Sequence, residues 1–222
     1  MAAGSDRHNL ITTLSRIIAT MVFFILFRFT WRGKRNFPQK GPLLIVMNHQ
    51  SFLDPVLAGI MAPRRLVYFA RSTLFKNKLL SALIRFYGAM PVDRDGGGSF
   101  AGLKQAHKIL SDGRALLMFP DATRTRDGDI GEFKPGFVWL AQQTGATILP
   151  VVVCGANRAW HRSRKLPSPR RVRCKILQPI PAKELTPAPG ESDREAQKRL
   201  ADEIRQTMVA EKQKMEGTKG GE

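Results

Sequence analysis

Five consecutive apolar residues, Leu43 to Met47, run straight into the polar pair Asn48-His49. A run with no polar alternation reads as a strand buried on both faces of a parallel sheet. The polar pair then sits at the carboxyl end of that strand, where open α/β sheets place their ligands. Ser51 can cap a following helix, and Asp54 falls in that helix's first turn. A strand–turn–helix corner of this kind can bring Asp54 back onto His49. A carboxylate on one imidazole nitrogen sets the tautomer and makes the other nitrogen a better base. Taken alone, a His and an Asp five residues apart are more plainly read as caps of a turn.

The rest of the chain supplies the sheet. Leu66 to Ala70, Ala89 to Val92, Ala115 to Phe119 and Ile148 to Val153 read as further strands, and Pro150 hints at an edge or a bulge in the last. Val172 to Ile176 alternates strictly and reads as a half-exposed strand, with Cys174 facing the core. Helices are expected after Pro55, over Leu74 to Tyr87, after Ser99, from near Pro135 and after Ser192. Leu79, Leu80, Leu83 and Phe86 share one side of the second of these, in the company of Lys76, Lys78 and Arg85. A core helix with a solvated basic face is the ordinary reading, and rest on a membrane is the alternative. Gly96-Gly97-Gly98 is a flexible turn. No Gly-Lys-Ser or Gly-Lys-Thr follows it, so it is not a phosphate-binding loop. His107 reads as a partly exposed helical histidine. Pro179 to Gly190 reads as a proline-rich linker, Ala196, Leu200, Ile204 and Met208 share one face of the final helix, and Lys212 onward reads as frayed.

Charge and hydropathy narrow the surroundings. The 222 residues hold 36 Lys and Arg against 18 Asp and Glu, a net charge of +18. That excess calls for anionic partners: anionic lipid, phosphorylated substrates or nucleic acid. No zinc-finger or aromatic RNA-binding signature is present, so no specific nucleic-acid partner is expected. Cys154 and Cys174 are too few and too far apart for a zinc site or a disulfide framework, and fit reduced thiols in a cytosolic setting. Leu10 to Phe27 is the most hydrophobic segment. Arg16 interrupts it, and Thr13, Arg16 and Thr20 form one narrow helical stripe. A helix lying in the membrane interface, or dipping into one leaflet, suits this better than a clean span, which needs about 20 apolar residues. Trp31 and the basic residues Arg28, Arg32, Lys34 and Arg35 follow as a headgroup-level border, which for a spanning helix would put the main domain on the cytoplasmic side. A cleaved signal peptide is disfavoured because basic rather than small residues follow, and a buried core helix is the remaining reading.

Three stretches lie downstream of Asn48-His49-x-x-x-x-Asp54 in fixed order: Gly88-Ala89-Met90-Pro91-Val92-Asp93-Arg94, Phe119-Pro120-Asp121-Ala122-Thr123-Arg124 and Phe133-Lys134-Pro135-Gly136. Together the four resemble the motifs of the glycerolipid acyltransferases, whose type member is 1-acyl-glycerol-3-phosphate acyltransferase. The resemblance runs from about Gly41 to Gly155. It implies acyl transfer from acyl-CoA or acyl carrier protein to a lysophosphatidic acid-like acceptor. The thioester is already activated, so no metal, tightly held cofactor or serine or cysteine nucleophile is needed. His49 would take the acceptor hydroxyl proton, and Asp54 would orient and stabilise the imidazolium.

A phosphate clamp calls for Arg or Lys, since a guanidinium fork matches phosphate oxygens. Arg124 leads, followed by Arg94 and Lys134, and Arg71 sits where the family often carries a basic residue. The resemblance implies acceptor binding for the Arg94 and Arg124 stretches, and Thr123 can add a hydroxyl contact. Departures fall in the second stretch, where Ile-Asp-Arg after an aromatic is usual and Pro91-Val92-Asp93-Arg94 stands here, and in the third, where Glu-Gly-Thr-Arg is usual. Asp121 draws the carboxylate back by one methylene, and Ala122 crowds close approach. A different lysolipid or lipid acceptor therefore stays open. So does a non-catalytic basic peripheral membrane protein, which accounts for the charge but not for the His49 corner. The expected architecture is an α/β domain, a mainly parallel sheet with helices on both faces. It is preceded by an N-terminal membrane-associated helix and basic border (1–36), spans 37–190, and is followed by a C-terminal amphipathic helix and tail (191–222).

Overall fold

The computed structural model describes residues 10–92, 98–121, 123–125, 127–161, 163–164 and 166–217. Chain order is α1 (Leu10–Phe27), β1 (Thr30–Arg32), β2 (Leu43–Met47), α2 (Asp54–Met61), β3 (Leu66–Arg71), α3 (Lys78–Phe86), β4 (Ala89–Val92), α4 (Gly98–Ser111), β5 (Ala115–Met118), α5 (Gly136–Thr144), β6 (Thr147–Cys154), α6 (Ala156–Ala159), β7 (Arg173–Ile176) and α7 (Asp193–Gly217). Seven strands form one sheet in the order β1-β7-β6-β2-β5-β3-β4. The run from β6 to β4 is parallel, and β7 pairs antiparallel with β6. β1 pairs parallel with β7, so the sheet is mixed at this edge. β2 lies between β5 and β6 and is buried at all five positions, as its unbroken apolar run requires.

The alternating residues of β2 feed two cores. Leu43, Ile45 and Met47 join Leu57, Ala58 and Met61 of α2 on one face, with Ala19, Phe23 and Phe27 of α1. Leu44 and Val46 join α4, α5 and α7 residues on the other. Both flanking segments are built into this body. β1 supplies the last strand of the sheet, so the stretch expected as a basic border is a paired edge, with Trp31 stacked on the buried Phe29. α7 buries Ala196, Leu200, Ile204 and Met208 against the sheet, and Ser192 and Glu195 form a reciprocal cap at its start.

Four expectations are corrected. β6 is central, so of the two expected explanations of Pro150 the edge fails and the bulge holds. Leu149 and Pro150 face three residues, Leu177 to Pro179, between the Val151↔Ile176 and Ile148↔Ile180 pairs. The missing proline N–H falls in this bulge, where only its carbonyl is used, by the N–H of Leu177. The proline-rich 179–190 stretch is not a loose linker, because Leu185 is buried in the second core. α7 does not fray at Lys212. Its ammonium is buried and paired with Asp129 (2.8 Å) and Glu216 (3.2 Å).

The fourth correction concerns α3, which is shorter than expected and is not a core helix. Leu79 is 83% exposed, and no residue of α3 is buried. α1 is likewise turned about. Thr13, Arg16, Thr20 and Phe23 face the body, while Leu14, Ile17, Ile18, Met21, Phe24 and Ile25 face outward. Arg16 donates to the carbonyl of Ala62, the residue that closes α2, so the charge that interrupts the apolar run caps a helix carboxyl end. No described helix is long and apolar enough to cross a membrane.

Candidate active site

The carboxyl ends of β2 and β5 meet at His49. Asn48 closes β2 against β6 with its side-chain amide, donating to the carbonyl of Val153 (3.0 Å) and accepting from its N–H (2.8 Å). The chain then turns, and Asp54 opens α2. Its Oδ2 accepts from the N–H groups of Gln50 (2.6 Å) and Ser51 (2.7 Å) and lies 2.7 Å from His49 Nδ1. Ser51 does not cap α2. Leu53 holds that position without a side-chain cap, while Ser51 Oγ donates to the Trp160 carbonyl and accepts from the Leu53 N–H. The carboxylate thus serves both as the turn's anion and as the imidazole's partner.

Burial and bonding fix the His49 ring. Its side chain is 13% exposed and stacks on Phe119 at 4.1 Å, with 21° between the planes. With Nδ1 committed to Asp54, Nε2 is left for an incoming proton. Asp54 is fully buried. Desolvation pushes its carboxyl above the usual range, while the bond to His49 and the Ser51 and Gln50 N–H groups oppose that rise.

A second carboxylate holds the same histidine by its backbone. Asp121 Oδ2 accepts from the His49 N–H at 2.9 Å, and the N–H of Thr125 donates to the His49 carbonyl at 3.0 Å. The 121–125 turn therefore grips both peptide groups of His49. It can do so because β5 lies beside β2 in register, with Met118 opposite Val46. Burial pushes the Asp121 carboxyl up to about 6, against the pull of the His49 N–H and imidazole and with the help of Asp54's charge.

The other expected residues fall at graded distance from this corner. Arg124 lays its guanidinium over the Phe52 ring, 3.7 Å from the centroid, so it faces the turn between His49 and Asp54. Thr123 is exposed and lines a cavity of about 540 Å³ with Asp121, Arg124 and Thr125. Lys134 is exposed, and its N–H donates to the Pro120 carbonyl, which sets it beside the Asp121 turn. Arg71 is exposed at the end of β3, separated from β2 by β5. Arg94 lies outside the described residues. Four contacts were missed from sequence: the Phe119 stack, the Phe52–Arg124 pair, the Thr125 bond and the Asp121 bond to the His49 N–H, where Asp121 was expected to bind substrate. All were within quoted or adjacent stretches, and the neighbouring of β2 and β5 is the signal that would have joined them.

The mixed α/β sheet has counterparts among known proteins. A family model described as Acyltransferase matches residues 28–154, and the chain belongs to that family. It is 31% identical over 183 residues to the 1-acyl-sn-glycerol-3-phosphate acyltransferase alpha of Mus musculus, covering 80% of this chain and 61% of that protein. It is 31% identical over 126 residues to the 1-acyl-sn-glycerol-3-phosphate acyltransferase of Borreliella burgdorferi, covering 56% of this chain and 50% of that one. The chain thus spans about half the length of the curated relatives it matches. The crystal structure of the 1-acyl-sn-glycerophosphate acyltransferase from Thermotoga maritima shares the fold, with a TM-score of 0.75 at 24% identity over 90% of this chain and 79% of that one.

Proposed function

We propose that this protein transfers a fatty acyl chain from acyl-CoA or acyl carrier protein to the free hydroxyl of a lysophosphatidic acid-like acceptor. The observation that carries this reading is the 2.7 Å contact of His49 Nδ1 with the buried Asp54 carboxyl, which leaves Nε2 as the nitrogen for proton transfer. His49 Nε2 takes the proton of the acceptor hydroxyl as its oxygen attacks the thioester carbonyl. The tetrahedral intermediate collapses, the C–S bond breaks, and the departing thiolate takes the proton from the imidazolium. Asp54 holds the ring and offsets its charge during the cycle. General-base action of this kind is worth roughly 10²–10⁴-fold, and positioning supplies the remainder. Arg124, with Thr123 near it, is the clamp for the acceptor phosphate. Lys134, beside the Asp121 turn, and Arg71, at the end of β3, add positive charge on the acceptor's side, and Arg94 is kept as an acceptor-binding residue on its motif alone.

The protein works at the cytoplasmic face of an anionic membrane, held through α1. The support is the inversion of that helix, with its polar stripe on the body and its apolar side outward. Exposed Arg28, Arg32, Lys34 and Arg35 follow it at once.

The decisive experiment runs labelled acyl-CoA and acyl carrier protein against a panel of lysolipids, with wild type and His49→Ala side by side. Transfer to lysophosphatidic acid by wild type alone supports the reading. An equally active His49→Ala would sink the catalytic assignment. Inactivity across the panel would favour a non-catalytic basic membrane protein. The Asp121-Ala122 departure favours one second reading, the same chemistry on another lipid acceptor, and the panel separates the two.

A further inference from the structure

We propose that α3 is a second lipid-contact element, inserting its apolar side into the interface of an anionic bilayer on the same face of the sheet as α1. This rests on the interfacial reading of α1 given above, but its own evidence is separate. Only Ser81 and Ile84 turn part of their surface toward the body, and both are half-buried. Leu79, Leu83 and Phe86 lie on the opposite arc and are exposed, and Leu80, one turn before Ile84, flanks them with 38% exposure. A helix that served only the core would turn that arc to the sheet. Exposed Lys76, Lys78 and Arg85 border the arc, which suits a leaflet of anionic headgroups over an apolar interior.

Topology puts α3 in the right layer. β2, β3 and β4 advance in one direction across the parallel sheet, with α2 and α3 as crossovers. Right-handed connections place both helices on the same face, and α1 packs on that face through Ala19 and Phe23. Phe52, which is 45% exposed with Arg124 over one ring face, and Val56, which is 44% exposed, are the outward apolar residues on the α2 side, beside the His49 turn. One layer therefore carries α1, α3 and the rim of the candidate site. A lysolipid acceptor would reach His49 without leaving the interface.

The test is binding of the full chain to vesicles of neutral phosphatidylcholine or of phosphatidylcholine mixed with phosphatidylglycerol. Leu79→Ser/Leu83→Ser should lower partitioning into the anionic vesicles by roughly 10-fold or more, because two large apolar side chains are withdrawn from the contact. Both positions are exposed, so the fold should survive. Should it not, Leu79→Cys carrying an environment-sensitive fluorophore gives a second reading. Cys154 and Cys174 are buried, so the label falls at position 79. Quenching of that label by chain-brominated lipid is the expected result.

Unchanged partitioning of the double variant, or an unquenched label on vesicle-bound protein, would overturn the proposal. So would a lipid-free wild-type dimer that the double variant dissociates, since a second copy would then cover α3. Wild type that ignores vesicles would overturn α1 and α3 together. Vesicle insertion needs no catalysis. If every lysolipid fails as acceptor while the label is quenched, only the enzymatic reading falls.

Discussion

Asp54 does two jobs with one oxygen, and they can be separated. Asp54→Asn retains a side-chain oxygen for the Gln50 and Ser51 N–H groups but faces His49 with a different donor pattern. Acyl transfer should fall by roughly 10²–10⁴-fold while the circular dichroism spectrum is retained. Asp54→Ala should also lose stability, since two buried N–H groups are orphaned at about 1–3 kcal/mol each. If Asn and Ala variants melt and turn over alike, the carboxylate has no orienting role. Asp121 offers a pH test. Its carboxyl ionises at about 6 in the folded protein, against an ordinary 3.8. Between those values the folded chain holds a proton that the unfolded chain has lost, so stability falls as pH rises through the window. A shift of this size amounts to about 3 kcal/mol. Asp121→Asn should therefore lose less melting temperature between pH 4 and pH 7 than wild type does. Parallel melting curves across that range would contradict the assignment.

Among the elements, the stretch from Asp121 to Thr125 links the proposed acceptor clamp, Arg124 and Thr123, to the His49 backbone. Arg124→Lys keeps the charge but loses the planar fork and the stack on Phe52. Its KM for a phosphorylated acceptor should rise about tenfold or more, with a smaller change for the acyl donor. An equal rise for both substrates would place Arg124 elsewhere in the reaction. α1 and α3 make a second point at this scale. Their periodicity marks an apolar side, but periodicity does not say which medium that side meets. A core, a lipid interface and a partner all reward the same pattern. Hence the ordinary sequence reading of α3 as a core helix was overturned, and α1's polar stripe faces protein.

Across the whole molecule, α7 braces the loop that follows the 121–125 turn. Arg205 donates to the carbonyls of Ile130 and Gly131, and Lys212 pairs with Asp129. Arg205→Ala should cost about 1.5–3 kcal/mol, seen as a melting temperature lower by several degrees. Hydrogen exchange at 127–131 should quicken in the same variant. Slower turnover with unchanged exchange would mean that α7 acts on the site by another route. This link joins elements about 80 residues apart, and nothing in either stretch announces the other.

The chain's local order made the His49 corner legible, because five residues and one turn suffice to return Asp54 to the imidazole, although the pair alone read as turn caps and only the three downstream stretches gave it weight. The buried runs likewise marked β2 and β5 as inner strands, since only the middle of a sheet accepts such segments, while Pro150 left β6 open between an edge and a bulge. The capping Ser192 and the face of Ala196, Leu200, Ile204 and Met208 were legible for the same reason: the information is within one turn or one helix. What lay beyond the sequence was long-range pairing. The grip of Asp121 and Thr125 on His49 depends on β5 lying beside β2, Pro150 depends on a bulge in β7's approach, and the edge strand Thr30–Arg32 depends on β7 running against the rest. Such contacts gain their energy only after distant segments have met, so no local pattern has to record them.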